Sequence, residues 1–444
     1  MARRYFGTDG VRGRVGEHPM TVDFALRLAS AAARVLAPQG GGTVLIGKDT
    51  RVSGYLFESA LEAGFVAAGV NVKLIGPLPT PGIAYMTQRL GCNFGVVISA
   101  SHNAFEDNGI KFFDGAGAKL SDAIEEAIEA IIDEPPVTRD SRQLGRAVRL
   151  EKAIDDYGAF CRGTLPPGMN LEGMKVVVDC ANGAGYKVAP RVLADLGAEI
   201  IPIGCSPNGR NINAGCGSTA PDLLQLTVLG TQSHVGIALD GDGDRLVMVD
   251  HLGRLVDGDQ LLFILARARH AAGALPGPVV GTLMSNLGLE QSLTRLGIPF
   301  RRAAVGDRYV LAVLREEGGV LGGETSGHLL CLDRTTTGDG LVSALQVLAV
   351  MQETGQSLAQ LASDMPKYPQ VMINVRTPQR LDVNGNAAIQ AATAAAERRL
   401  AAAGRVVLRA SGTEPVIRVM VEASDLETAQ REAETLAAVV RAAV

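Results

Sequence analysis

The sequence predicts an α/β chain of four domains: three copies of one α/β module, then a small C-terminal α+β domain. Three observations carry this expectation. A pattern of strand, polar loop, helix, glycine and strand recurs three times along the chain. Each copy is followed by a further β-rich run that stops abruptly in a polar loop. Beyond Met365 the chain changes character, to an Ala-rich helix and two strands.

The first copy opens with Thr43–Arg51 (TVLIGKDTR) and continues into a helix-period stretch bearing Leu56, Phe57, Leu61 and Phe65. It closes on the strand Ala67–Gly76. The second runs from Lys175–Gly185 to Leu193–Gly204, and the third from Gly277–Asn286 to Thr294–Gly306. Runs of Val and Ile suit buried parallel strands, and Gly69, Gly197 and Gly297 stand where a helix C-cap is expected. The strands that follow end in Ser99–Asn103 (SASHN), in Asp240–Arg245 (DGDGDR) and in the loop Gly323–His328 (GETSGH). Open α/β sheets bind ligands at the carboxyl ends of their strands.

Boundaries follow from the breakers. Pro135-Pro136 and the polar run to Arg149 come after a helix over Asp122–Asp133, and Pro166-Pro167-Gly168 leads into the second copy. His251-Leu252-Gly253 reads as a turn closing the second copy, and Met365–Pro369 reads as a linker. The expected domains are 1–150, 151–252, 253–367 and 368–444, the last with a helix over Ala387–Ala403 and strands Val406–Leu408 and Val416–Glu422.

Composition narrows the function classes. At 444 residues, 47% hydrophobic and 20% charged, the chain can fill several cores. With a net charge of −5 and no Lys/Arg block, nucleic acid and acidic membranes are not expected partners. Six scattered cysteines without a CxxC read as reduced cytoplasmic thiols. Arg3-Arg4 is not followed by an apolar stretch, so an export signal is not expected, and no apolar run is long enough for a membrane span.

The polar loops carry the chemistry. Asp240, Asp242 and Asp244 alternate with two glycines, so three carboxylates can converge on a hard divalent cation. An EF-hand is excluded, because Arg245 and His251 stand where its Gly and bidentate Glu belong. Mg²⁺ suits few carboxylates completed by phosphate oxygens. Arg409, Ser411, Gly412 and Thr413, with Arg418 beyond, form a phosphate cradle between two strands. Glu324 and Ser326 suit sugar hydroxyls, and Arg12 in the Gly-rich Phe6–Gly13 suits an anion. Ser99–Asn103 reads locally as a helix N-cap or turn. Beside a metal loop it also suits a phosphoserine, whose charge of about −1.5 to −2 needs a cation between it and the acids. No GxxxxGK[ST] occurs, so an NTP donor is not indicated.

Four loops in this order, SASHN, DGDGDR, GETSGH and RASGTEP (Arg409–Pro415), resemble the α-D-phosphohexomutases over nearly the whole chain. Tyr5–Gly13, Ile46–Arg51 and Asn108–Phe113 resemble the bacterial amino-sugar branch. The resemblance implies four domains around a central cleft. It implies interconversion of glucosamine 6-phosphate and glucosamine 1-phosphate, feeding cell-wall precursors, in the cytoplasm. Ser101 would carry the phosphoryl group and, with Asp240, Asp242 and Asp244, hold one Mg²⁺. A sugar bisphosphate would prime Ser101. Glu324, Ser326, His102, Arg245, Arg409, Ser411, Gly412, Thr413 and Arg418 would bind substrate. Lys111, His328 and Arg12 would supply acid, base and electrostatic help, and a lysine base would need a lowered pKa. The partner is a phosphosugar, with a homodimer left open. Competing readings are a glucose or mannose phosphate mutase, a Mg²⁺-dependent phosphatase and a phosphosugar sensor. Two departures stand out. Ala104 occupies the position after SHN where the family usually has proline, which suggests a looser loop. Thr325 stands where this branch often has a longer amide, which leaves sugar choice open.

Overall fold

The computed structural model describes residues 4–377, 383, 385–410 and 416–443. The first sheet contains β1 (Val11–Arg14), β2 (Thr43–Lys48), β3 (Asn71–Pro77), β4 (Phe94–Ile98), β5 (Asp107–Asp114) and β6 (Ala147–Arg149), in the order β1-β5-β4-β2-β3-β6. The second contains β7 (Lys175–Asp179), β8 (Glu199–Ile203), β9 (Val235–Leu239), β10 (Leu246–Asp250) and β11 (Leu255–Val256), in the order β11-β10-β9-β7-β8. The third contains β12 (Val279–Thr282), β13 (Phe300–Ala303), β14 (Leu321–Gly323) and β15 (Leu329–Cys331), in the order β13-β12-β14-β15.

The repeat is literal at the level of topology. In every copy a first strand pairs in parallel with the strand after its helix on one side and with a third strand on the other. The third strand then turns back into an antiparallel fourth (β5, β10, β15). Gly69, Gly197 and Gly297, one residue past the helix caps, have φ of +85°, +92° and +71°, values that suit glycine. Their helices are Ser53–Ala67, Val188–Asp195 and Leu287–Arg295.

Ser99–Asn103, read locally as a cap or a turn, is a turn: the chain continues into β5, so each chemical loop is the bend of an antiparallel hairpin. Two expectations are corrected. The turn at 251–253 does not close the second sheet, because it connects β10 to β11, which pairs back onto β10. The C-terminal sheet has three strands, β16 (Gln370–Arg376), β17 (Gly404–Ala410) and β18 (Val416–Ala423), in the order β16-β18-β17. It is covered by helices Ala387–Leu400 and Leu426–Ala442, the second with Leu436 and Val440 buried. The alternation in β16, with Val371, Ile373 and Val375, is a half-buried strand signal hidden beside Pro369.

One apolar core runs through all three modules, from Leu45 and Ile83 through Tyr157, Val176 and Leu239 to Leu262 and Leu345. The helix Gly340–Thr354 is buried along most of its length and is capped by Asp339, which accepts from Val342 N at 2.9 Å. Tyr157 donates to the same carboxylate at 2.8 Å, joining the helix Ala153–Gly163 to the third module. The C-terminal domain has its own core around Val419, Val421 and Leu436.

Candidate active site

The bends after β4 and β9 touch. Ser101 is buried and holds φ of +52°, rare for a residue with a Cβ. Its Oγ donates to Asp240 Oδ2 at 2.6 Å, and its N donates to Ser99 Oγ at 2.9 Å. Gly241 packs so closely that a Cβ there would lie 2.6 Å from Ser101 O, and this approach explains the glycine. Gly243 turns the same loop at φ +72°.

Asp240, Asp242 and Asp244 are all buried, with candidate ligand oxygens within 4.8 Å of one another. Burial, Asp244 and Asp242 push the Asp240 carboxyl well above the usual range. Burial also disfavours the charge on Asp242, but Lys111 outweighs it and holds that carboxyl low. Asp242 Oδ1 and Asp244 Oδ1 are buried without hydrogen-bond partners. Orphaned hard oxygens in a buried, mutually repelling triad fit a metal ion. Thr80 Oγ1 fixes Asp242 Oδ2 at 2.7 Å, so the acidic loop is braced from the first module.

Lys111 lies on β5, with Nζ 2.8 Å from Asp242 Oδ2 and 2.9 Å from Asp9 Oδ2. Burial opposes its charge, but Asp242 and Asp9 override it and raise its pKa. A lysine base would need a lowered pKa, and the surroundings of Lys111 act in the opposite direction. Asp9 also pairs with Arg12 and, at 2.6 Å, with Lys119, and Lys119 reaches Asp307 at 2.6 Å. His328 stands 3.6 Å from Asp244 and 3.4 Å from Asp307. Burial works against its charge, yet the two carboxylates raise its pKa to about 9. His102 differs: burial, Arg245 and Arg12 push it down to about 4, so its imidazole is neutral, with Nδ1 3.4 Å from Ser101 Oγ.

Several of these groups border a cleft of about 570 Å³ lined by Arg12, Ser101, His102, Asp244, Arg245, Glu324, Ser326 and His328, among others. Asp240, Asp242 and Lys111 lie outside that lining. Glu324 is fixed by Gly306 N at 3.0 Å. Thr325 does not line the cleft, and its hydroxyl donates to Asp259 at 2.7 Å, so this departure points away from the sugar loop's open side. Arg409 and Arg418 are also outside the lining and face each other across β17 and β18. Burial and Arg418 lower the Arg409 pKa, and Arg409 Nε is buried without a partner. Like charges directly opposite repel unless an anion sits between them. Ser411, Gly412 and Thr413 lie outside the described residues. A larger groove of about 1000 Å³, with Met174, Leu229 and Gln356 in its walls, gathers none of these groups.

Sequence reasoning passed over Asp9, Thr80, Lys119 and Asp307. Asp9 sits in the same Gly-rich stretch as Arg12 and was legible there. The others are isolated residues whose partners lie in distant segments.

Four domain profiles described as phosphoglucomutase/phosphomannomutase match the chain. The α/β/α domains I, II and III match residues 3–138, 168–253 and 257–368, and the C-terminal domain matches 372–439. A phosphoglucosamine mutase of Alkalilimnicola ehrlichii is 58% identical over 443 residues, covering 100% of this chain and 98% of the relative. One of Pasteurella multocida is 58% identical over 440 residues, covering 99% of each. Among solved structures, a phosphoglucomutase/phosphomannomutase family protein of Burkholderia thailandensis superposes with a TM-score of 0.82 at 24% identity, over 98% of this chain and 97% of that one. An Aspergillus fumigatus N-acetylphosphoglucosamine mutase, solved with GlcNAc-6P and magnesium, gives 0.72 at 18% identity, over 99% and 96%.

Proposed function

The chain belongs to the phosphoglucomutase/phosphomannomutase family, and we infer that it is a phosphoglucosamine mutase, interconverting glucosamine 6-phosphate and glucosamine 1-phosphate. The observation that carries the chemistry is Ser101 Oγ at 2.6 Å from Asp240, inside a buried acidic triad and on the wall of a polar cleft. Ser101, Asp240, Asp242 and Asp244 would hold Mg²⁺. When bound, the ion would neutralise phosphoryl oxygens and make phosphorus more electrophilic. With Ser101 phosphorylated, a sugar hydroxyl attacks phosphorus, the bond to Ser101 Oγ breaks, and the hydroxyl proton leaves to a base. The resulting sugar bisphosphate returns its other phosphoryl group to Ser101 Oγ. A bisphosphate also primes the resting serine.

The charge states divide the roles. Lys111 and His328 are held protonated, so they offer positive field and hydrogen bonds near the transferring oxygens. Neutral His102 lines the cleft beside Ser101 Oγ and offers a hydrogen-bonding ring nitrogen to substrate. Arg12 and Arg245 face the cleft as anion contacts, Glu324 and Ser326 present oxygens to sugar hydroxyls, and Arg409 and Arg418 receive the non-reacting phosphate. A cytoplasmic setting agrees with six free thiols, and no helix among the described residues is long and apolar enough to cross a membrane.

A coupled assay on glucosamine 6-phosphate, with and without Mg²⁺ and a hexose 1,6-bisphosphate, tests the reading. Intact mass should show one phosphoryl group on the wild type and none on Ser101→Ala, which should be inactive. Full activity in Ser101→Ala overturns it. The kcat/KM values for glucosamine, glucose and mannose phosphates measure sugar choice, and sedimentation measures whether the chain is a homodimer.

A further inference from the structure

Ser101 keeps its left-handed backbone on a buried loop, and that conformation needs an external hold. The hold comes from two side chains on different modules. Arg51, at the end of the loop after β2, is fully buried. Its Nη2 donates to Ser101 O at 2.9 Å and to Asn103 O at 2.8 Å. Its Nη1 donates to Ala104 O and, at 3.0 Å, to Asp107 O. Asp49 anchors the guanidinium through Nε at 2.8 Å. The same Asp49 oxygen accepts from Ser99 Oγ at 2.6 Å, and Ser99 Oγ accepts from Ser101 N. From the second module, Asn213 Nδ2 donates to the same two carbonyls, Ser101 O at 2.9 Å and Asn103 O at 3.0 Å. Asn213 is itself left-handed at φ +59°, and its Oδ1 is buried with no hydrogen-bond partner.

Carbonyls that point together repel, and only a donor array can collect four of them into one bend. A planar guanidinium does this and an ammonium does not, because its donors do not form a rigid fork. We propose that Arg51 and Asn213 form a carbonyl clamp, acting as positioning residues that hold Ser101 left-handed and so fix the aim of its Oγ at Asp240. Neither touches the cleft, and their effect passes through the loop backbone. The clamp also makes the phosphoryl-carrying loop a joint property of two modules. The proposal rests on Ser101 as the phosphoryl carrier.

The test is the rate at which a hexose 1,6-bisphosphate loads Ser101, followed by intact mass and expressed per loadable chain. It is measured beside kcat, KM and the thermal midpoint. Arg51→Lys keeps the charge without the fork, and Asn213→Gly keeps the backbone conformation without the donor. Misplacing a reacting atom by about 1 Å costs on the order of 100-fold. Arg51→Lys should load and turn over about 100-fold more slowly, and Asn213→Gly about tenfold. KM should move far less than kcat, because all the proposed sugar and phosphate contacts except His102 lie on other loops. A role in stability alone would lower the midpoint and the loadable fraction but leave the rate per loadable chain unchanged. That result overturns the clamp, as does wild-type loading in both variants. If Arg51→Lys does not fold, Asn213→Gly decides. A wild type whose Ser101 carries no phosphoryl group either as purified or after incubation with the bisphosphate refutes the phosphoserine reading itself, a distinct failure.

Discussion

Replacing Asp240 with asparagine should make the protein more stable than wild type without metal and less stable than wild type with it. In the metal-free triad, carboxylate oxygens lie within 4.8 Å of one another. At an effective dielectric of about 20, each such pair repels by about 3 kcal/mol. Asp240 faces two such pairs, and Arg245 offsets roughly one of them, leaving about 3 kcal/mol of unfavourable energy that asparagine removes. Because the Asp240 carboxyl is raised, protonation relieves part of this at low pH, so the gain is largest at pH 8. In EDTA at pH 8, Asp240→Asn should unfold at a higher temperature than wild type. Mg²⁺ at about 100 times its Kd should stabilise wild type by about 2.7 kcal/mol, and the variant by a small fraction of that. The two orders cross between EDTA and Mg²⁺. Thermal unfolding under both conditions reads it. A variant less stable than wild type in EDTA, or one with an undiminished Mg²⁺ response, would refute the triad as a cation site.

Asp339 is raised to about 6 from 3.8, so its buried neutral form is favoured on folding, and its contribution falls as pH climbs from about 4 to 6 and is flat above. Asp339→Asn keeps the helix cap and should remove up to about 3 kcal/mol of that decline, seen as a flatter thermal midpoint between pH 4 and 6.5. Arg418→Gln should lower kcat/KM for the phosphosugar by roughly 10- to 100-fold, mostly through KM, since one charge-assisted hydrogen bond is worth about 1.5–3 kcal/mol. In the absence of anions the same change should leave the domain slightly more stable, because Arg409 then loses its facing charge.

The sites that were legible in the sequence were the compact ones. Asp240, Asp242 and Asp244 fall within five residues, so their convergence follows from local geometry and two glycines. The three repeats were legible because buried parallel strands write continuous Val and Ile runs. What escaped depends on distant partners. The state of Lys111 is set by Asp9 and Asp242, far away in the chain, and nothing near Lys111 signals them. The bend after Ser101 looked like a helix cap because small polar residues serve both ends, and only pairing with β4 makes residues 107–114 a strand. Ala104 suggested a loose loop, yet its carbonyl is bound by Arg51. Proline there and a guanidinium beneath are two ways to restrain the same backbone.

The division of the core has a mechanical consequence. The apolar core is continuous through three modules, so the loops that carry Ser101, the acidic triad and Glu324 ride on one stiff platform. The arginines of β17 and β18 belong to a body whose apolar interior is separate. It is tied to the third module by polar links: Arg405 to the carbonyls of Leu283 and Ser285, Glu422 to Leu287 N, and Tyr368 O to Asn286. Swinging that body open therefore exchanges hydrogen bonds with water and exposes little oil.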